Sequence, residues 1–301
     1  MDRPDRLDAL LGHFRVRTRL FHAGPLCGTT NFPAQPGQGH LHVLRRGRLE
    51  MDHRDVDGSR NHRQIDRPSL VFYPRPLEHA FFNTPADESD FVCATLDVDG
   101  GPTHPLLDAL PPVIVLPLDT AAPLAPTLDL LFAEIDRVRC GRLALADRLF
   151  EILLIQLFRW LLDHPHDVTL PAGLVAGLAD ERLARALTAI HESPGEPWTL
   201  ATMADAAGMS RSSFAAHFKQ RIGQTPAVYL ARWRVTLAQA QLRAGVSVTR
   251  TATDLGYSTT PAFSRAFTAH IGCSPRAWLA TARQADLMGP TDSGGPADTR
   301  R

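Results

Sequence analysis

Cysteine is scarce in this 301-residue chain, and no two of its cysteines are close in sequence. Cys27, Cys93, Cys140 and Cys273 form no CxxC pair, so no disulfide framework is encoded and a reducing cytoplasm is the expected setting. Long uncharged apolar runs are also missing. The most apolar stretch, Leu149 to Leu162, is interrupted by Glu151, Gln156 and Arg159, and the first twenty residues carry acids without an apolar core segment. Neither export nor a membrane span is expected from this pattern. Net charge is absent too, with 32 basic against 32 acidic side chains, which for the whole chain argues against a polyanionic partner. What is present is ordinary globular material, 44% hydrophobic and 21% charged, at a length that favours two domains over one.

The neutral total conceals two opposite halves. Residues 1–181 hold 18 arginines against 25 acids, a net of minus 7. Residues 182–284 hold 11 arginines and Lys219 against only Glu192, Glu196, Asp205 and Asp254, a net of plus 8, and the remaining tail is minus 1. An acidic domain joined to a basic one that meets a polyanion is the reading this asymmetry supports.

Short strands are predicted near Leu20–Ala23, His40–Leu44, Arg48–His53, Ser69–Tyr73, His79–Asn83 and Phe91–Val98, separated by turn-forming segments such as PAQPGQG and DVDGSR. Strands this short and frequent suggest a small barrel or sandwich. After a Pro-rich stretch near Leu110–Leu118, apolar spacings of three and four predict helices over Leu124–Val138 and Leu143–Leu162. HPHDVTLPAGLVAG reads as a connector, Asp180–His191 as a helix, and the Gly- and Pro-rich end as a disordered tail.

The basic half contains an internal repeat. Gly208, Phe214, Phe218, Ile222-Gly223, Pro226 and Tyr229 are matched by Gly256, Phe263, Phe267, Ile271-Gly272, Pro275 and Trp278, the offset moving from 48 to 49. Each copy follows a short helical segment, Leu200–Ala207 or Val246–Leu255, broken by a glycine able to adopt positive φ. Helix, glycine turn and second helix is the helix-turn-helix pattern, whose second helix enters the major groove. The Phe, Phe, Ile spacing of four turns those side chains inward. It leaves Arg211, Ser212, Ser213, Ala216 and Lys219 outward in the first copy and Thr259, Thr260, Ala262 and Arg265 in the second. Arg265 is the strongest candidate for base readout, because a guanidinium bonds guanine O6 and N7 together. Between the copies, Pro226–Arg243 is a continuous helical pattern spanning roughly 27 Å. It would hold two recognition helices about one DNA turn apart.

Together these residues, over Asp180–Gln284, resemble the AraC/XylS family of transcription regulators, and IGCSPRAWL is similar to that family's closing signature. The resemblance implies a promoter-binding protein, an N-terminal sensing or dimerising domain, and RNA polymerase as a further partner if the protein activates. The N-terminal half resembles the cupin-type domain of one subgroup: His40 and His42 form an HxH, and Pro74, His79 and Asn83 match the second cupin motif. Gly47 falls near the position of the family's metal-binding glutamate, which makes an oxygenase site and catalysis unexpected. A barrel interior would bring Cys27, His42, His79 and Cys93 together as an S2N2 set suited to zinc, with His40 spare. A thiol switch of Cys27 and Cys93, or buried cysteines and core histidines without further role, are the other readings.

The expected fold is α+β: a cupin-like β-barrel sensor over 1–120, a helical dimerisation segment over 121–163, a linker over 164–179, and a DNA-binding all-α domain with two helix-turn-helix motifs over 180–284. A disordered tail over 285–301 completes it. The expected function is that of a non-enzymatic, cytoplasmic, homodimeric regulator of promoter DNA that answers a small-molecule, metal or redox effector. A cupin-type metalloenzyme with an accessory nucleic-acid module is the alternative.

Overall fold

The computed structural model describes residues 5–13, 16–55, 58–98, 104–108 and 110–288. The chain divides into two compact units, one formed by residues 16–171 and the other by residues 172–292 together with the first fifteen residues.

Among the described residues the first unit carries nine strands: β1 (Val16–Pro25), β2 (Gly28–Phe32), β3 (Gln38–Arg46), β4 (Leu49–Arg54), β5 (Arg60–Ile65), β6 (Ser69–Tyr73), β7 (His79–Asn83), β8 (Asp90–Val98) and β9 (Ile114–Pro117). They form two sheets, ordered β1-β8-β3-β6-β9 and β2-β7-β4-β5, which of the barrel or sandwich suggested by the strand spacing is the open, two-sheet form. β5 and β2 escaped sequence reading for a physical reason. RNHRQI on β5 buries only Ile65, being an edge strand with no alternation to detect, and β2 is five residues of mostly polar character.

Between the sheets lies an aromatic-rich core that includes Phe32, Tyr73, Phe81 and Phe91. β3 is buried on both faces from Gly39 to Leu44, as befits a central strand covered on each side. α1 (Asp8–His13) precedes the strands, α2 (Pro105–Asp108) lies between β8 and β9, and two longer helices follow, α3 (Ala125–Ile135) and α4 (Arg142–Asp163). α4 packs on β1, where Asp147 accepts the backbone N–H of Leu20 at 2.7 Å. Arg45 on β3 clamps Asp136 with two bonds of 2.9 Å and lies over the Phe132 ring, fixing the end of α3.

The second unit is all helical: α5 (Leu174–Ala179), α6 (Glu181–Glu192), α7 (Leu200–Ala207), α8 (Arg211–Ile222), α9 (Pro226–Arg243), α10 (Val248–Asp254), α11 (Thr260–Ile271) and α12 (Pro275–Met288). Its helix starts are capped as the sequence dictates. Asp180 accepts the N–H groups of Arg182 and Leu183, and Ser210, Thr225, Ser247 and Thr259 cap α8, α9, α10 and α11.

Two expected boundaries move. The linker ends earlier than 179, because Leu174, Val175 and Leu178 are buried in the helical unit and Gly177 lies against Ile222. The first domain begins later than residue 1, because α1 belongs to the helical unit: Leu7 and Leu10 are buried there, Arg6 donates to the Leu178 carbonyl and α1 packs on α6. The expected tail overlaps α12 as far as Met288, and its remainder lies outside the described residues.

Candidate nucleic-acid interface and sensor interior

The two predicted copies are both realised. α7 ends at Gly208 (φ 65°), which turns the chain into α8; α10 ends just before Gly256 (φ 76°), which leads into α11. Phe214, Phe218, Phe263 and Phe267 are fully buried, so the opposite helix faces are free. Arg211, Ser212, Ser213, Ala216, Lys219, Thr259 and Arg265 are exposed, while Thr260 and Ala262 are half-buried. Not every hydroxyl among them is equally available. Ser213 takes a 3.0 Å bond from Ser210, and Thr259 spends its oxygen on the N–H of Ala262. Among the described residues none bonds Arg265, which is exposed on the second turn of α11.

The first recognition helix is anchored to the body of its lobe by His217, whose Nε2 lies 2.7 Å from Asp180 Oδ2. Burial opposes the charge on Asp180, but the N–H of Leu183 and the His217 ring outweigh it and hold its carboxyl below the usual range. Between α8 and α11 opens an apolar cleft of about 650 Å³, bordered by Trp198, Ala216, Lys219, Leu230, Arg234, Tyr257 and Ala266. Arg234 and Tyr257 carried no sequence signal, since neither sits on a recognition helix or at a matched position of the repeat.

In the β unit, the two sheets bring four histidines to one end of the interior. His40 and His42 project inward from β3, His79 from β7 and His53 from β4, where it pairs with His79 across the strands. His42 Nε2 and His79 Nε2 are 3.0 Å apart. His79 Nδ1 lies 2.8 Å from the Leu77 carbonyl, so it carries the proton there; its Nε2 is then the acceptor and His42 Nε2–H the donor. Tyr73 stacks on His79 with centroids 3.8 Å apart. Burial keeps these rings neutral, lowering His40 to about 4 and His79 to about 3, and holding His42 well below its ordinary value.

The predicted zinc set does not assemble. His42, His79 and Cys93 all face the interior, Cys93 being the cross-strand neighbour of His42. Cys27 does not join them, because in the turn between β1 and β2 it is Leu26 that takes the buried position and Cys27 points out to solvent. Among the described residues no three His, Cys, Asp or Glu side chains are placed to hold a metal ion. The absent glutamate also has a structural reason. Gly47 sits at φ 86° in the β3–β4 turn, where a Cβ would fall 2.6 Å from Ser89 Cα, so no longer side chain is accommodated. Cys93 is fully buried and its thiol is pushed up by desolvation, which leaves it protonated and unreactive while the sheets stay packed.

These features define a class: a β-sheet cupin domain carried on the same chain as a paired helix-turn-helix module. Residues 5–163 match the family model described as Cupin, and residues 203–281 match one described as Helix-turn-helix domain. A putative AraC-like transcription regulator of Streptomyces lividans is 41% identical over 176 residues, 56% of this chain and 56% of that protein. The regulator AlkR of Acinetobacter baylyi is 35% identical over 177 residues, 57% of each. The chain thus spans about half the length of the curated relatives it matches. Among solved structures, the DNA-binding domain of AdpA in complex with a target DNA is 30% identical, covering 35% of this chain and 96% of that domain with a TM-score of 0.34. The chain belongs to the cupin family that the first model describes, carries a helix-turn-helix domain, and has relatives named as AraC-like or HTH-type transcription regulators.

Proposed function

We propose that this protein binds promoter DNA in a sequence-specific manner through both recognition helices, and that its cupin domain receives the signal governing that binding. The observation that carries the reading is the pair of helix-turn-helix copies, each with a free outer helix face, inside a region of net charge plus 8. Phosphate neutralisation by such a surface supplies affinity, and Arg265 supplies base discrimination. Fluorescence anisotropy on duplexes selected from a random-sequence library tests this. Affinity should fall steeply as salt rises and depend on sequence; binding indifferent to both would overturn the proposal.

A homodimer is part of the same reading, since large apolar side chains remain exposed on the helical hairpin: Leu130, Val138, Leu143, Leu145 and Ile152. On α4, Leu149, Leu153, Leu157 and Trp160 are instead buried within the chain. The working compartment is the cytoplasm, where promoter DNA is, and RNA polymerase becomes a partner if the regulator activates. Among the described residues no helix is long and apolar enough to cross a membrane.

The signal acts, in this reading, on the neutral imidazole set between the sheets, the polar element of an otherwise apolar core. Elemental analysis of protein purified without added metal tests the zinc expectation. Stoichiometric zinc that vanishes in Cys27→Ser would restore the four-residue set against the arrangement seen here.

A further inference from the structure

The spacing of two recognition helices is usually credited to the helix that joins them, but here the two lobes also touch directly. The segment between α6 and α7 is a tight turn: Glu196 N–H donates to the Ser193 carbonyl, and Trp198 Nε1 donates to the same oxygen at 2.8 Å. At its apex Gly195 meets the end of α10 in the second lobe, so closely that a Cβ on Gly195 would lie 2.5 Å from the Asp254 carbonyl oxygen. The contact is reciprocal. A Cβ on Gly256 would collide with the Gly195 carbonyl oxygen, and Gly256 also holds a positive φ of 76°. Arg234 of α9 completes it, donating Nε to the Pro194 carbonyl and Nη2 to the Glu196 carbonyl, each at 2.8 Å. The same guanidinium lies over the Tyr257 ring in the second lobe, 5.6 Å from its centroid.

We propose that Gly195, Gly256 and Arg234 are positioning residues that latch the two helix-turn-helix lobes together and so fix the operator spacing the protein accepts. This rests on the proposed DNA binding but concerns its geometry. Backbone-to-backbone approach through two glycines leaves no compliant side chain in the contact. Arg234, which spends its hydrogen bonds on one lobe and its ring contact on the other, resists the lobes sliding apart along α9. A latched pair cannot follow an operator whose two major-groove segments are separated by one extra base pair, a change of about 3.4 Å and a tenth of a turn. An unlatched pair, hinged on α9 alone, can.

The test uses the full chain and a duplex selected by it from random sequence, then rebuilt with one base pair inserted or deleted between the two contacted segments. The unaltered protein should lose about tenfold or more in affinity on either change. Arg234→Ala and Gly195→Ala should bind the selected duplex less tightly but discriminate among the three spacings by only about threefold. Arg234→Lys, which keeps the charge and loses the forked pair of bonds, should behave like Arg234→Ala and guards against a Gly195 variant that does not fold. Loss of binding to all three duplexes in proportion, with the spacing preference intact, would show a merely structural role and overturn the latch. So would variants indistinguishable from the unaltered protein. Failure of the unaltered protein to select any duplex would instead fall on the DNA-binding proposal itself.

Discussion

Buried imidazoles make the β unit answer to acid. In the unfolded chain each histidine takes up a proton near pH 6.5, whereas inside the sheets His40 does so near 4 and His79 near 3. Across that window the unfolded state binds more protons, so stability from keeping these rings neutral is complete above about pH 6.5 and is lost as pH falls toward 4. The melting temperature of the β unit should therefore be lower at pH 5 than at pH 7.5, and His40→Leu should shrink the difference. An equal dependence in that variant would move the cause elsewhere. On the proposed DNA-reading face, Arg265→Ala should cost about 1–3 kcal/mol of specific binding and relax selection at one or two base pairs, as read by a competition assay across mutated duplexes. Residue identity alone announced His42, His79 and Cys93 as inward, because strand alternation fixes facing. It failed for Cys27, since a turn has no such alternation and the neighbouring Leu26 won the buried place.

At the scale of elements, the repeat was almost wholly legible. The spacing of Phe214, Phe218 and Ile222 survives as one packed face, and α9 occupies the 18 residues that the pattern indicated. Local signals of this kind (caps, glycine turns, a period of 3.6) act within a few residues and so are written in the chain. Pairing of strands is not local, and nothing in the spacing of short strands distinguishes two facing sheets from one closed barrel. Phe218→Ala should destabilise the helical unit by about 3–5 kcal/mol in a denaturant titration, a core phenylalanine being worth that much. For the α3–α4 hairpin the expected outcome concerns assembly. Leu145→Glu with Ile152→Glu should convert a dimer to a monomer in sedimentation analysis, with the melting temperature of the β unit little changed because both side chains are exposed in the single chain. A monomeric unaltered protein would remove the hairpin as a dimer seam.

For the molecule as a whole, charge and connectivity tell different stories about where the domains lie. The split of minus 7 and plus 8 located the basic half, yet no charge or periodicity assigned α1 to it, because six helical residues have too few neighbours to show which core they complete. Leu10→Ala should destabilise the helical unit by about 2–4 kcal/mol and leave the β unit's transition in place, as followed by hydrogen exchange resolved along the chain. The reverse assignment of protection would contradict the docking of α1 on α6. That docking makes the β unit an insertion: the chain runs through α1 in the helical unit, leaves that unit after His13, and returns to it after the connector that follows α4. The two units are consequently joined by two covalent crossings instead of one. A single protease cut in the connector between Asp163 and Leu174 should leave both fragments travelling together under native conditions, parting only when denaturant releases α1.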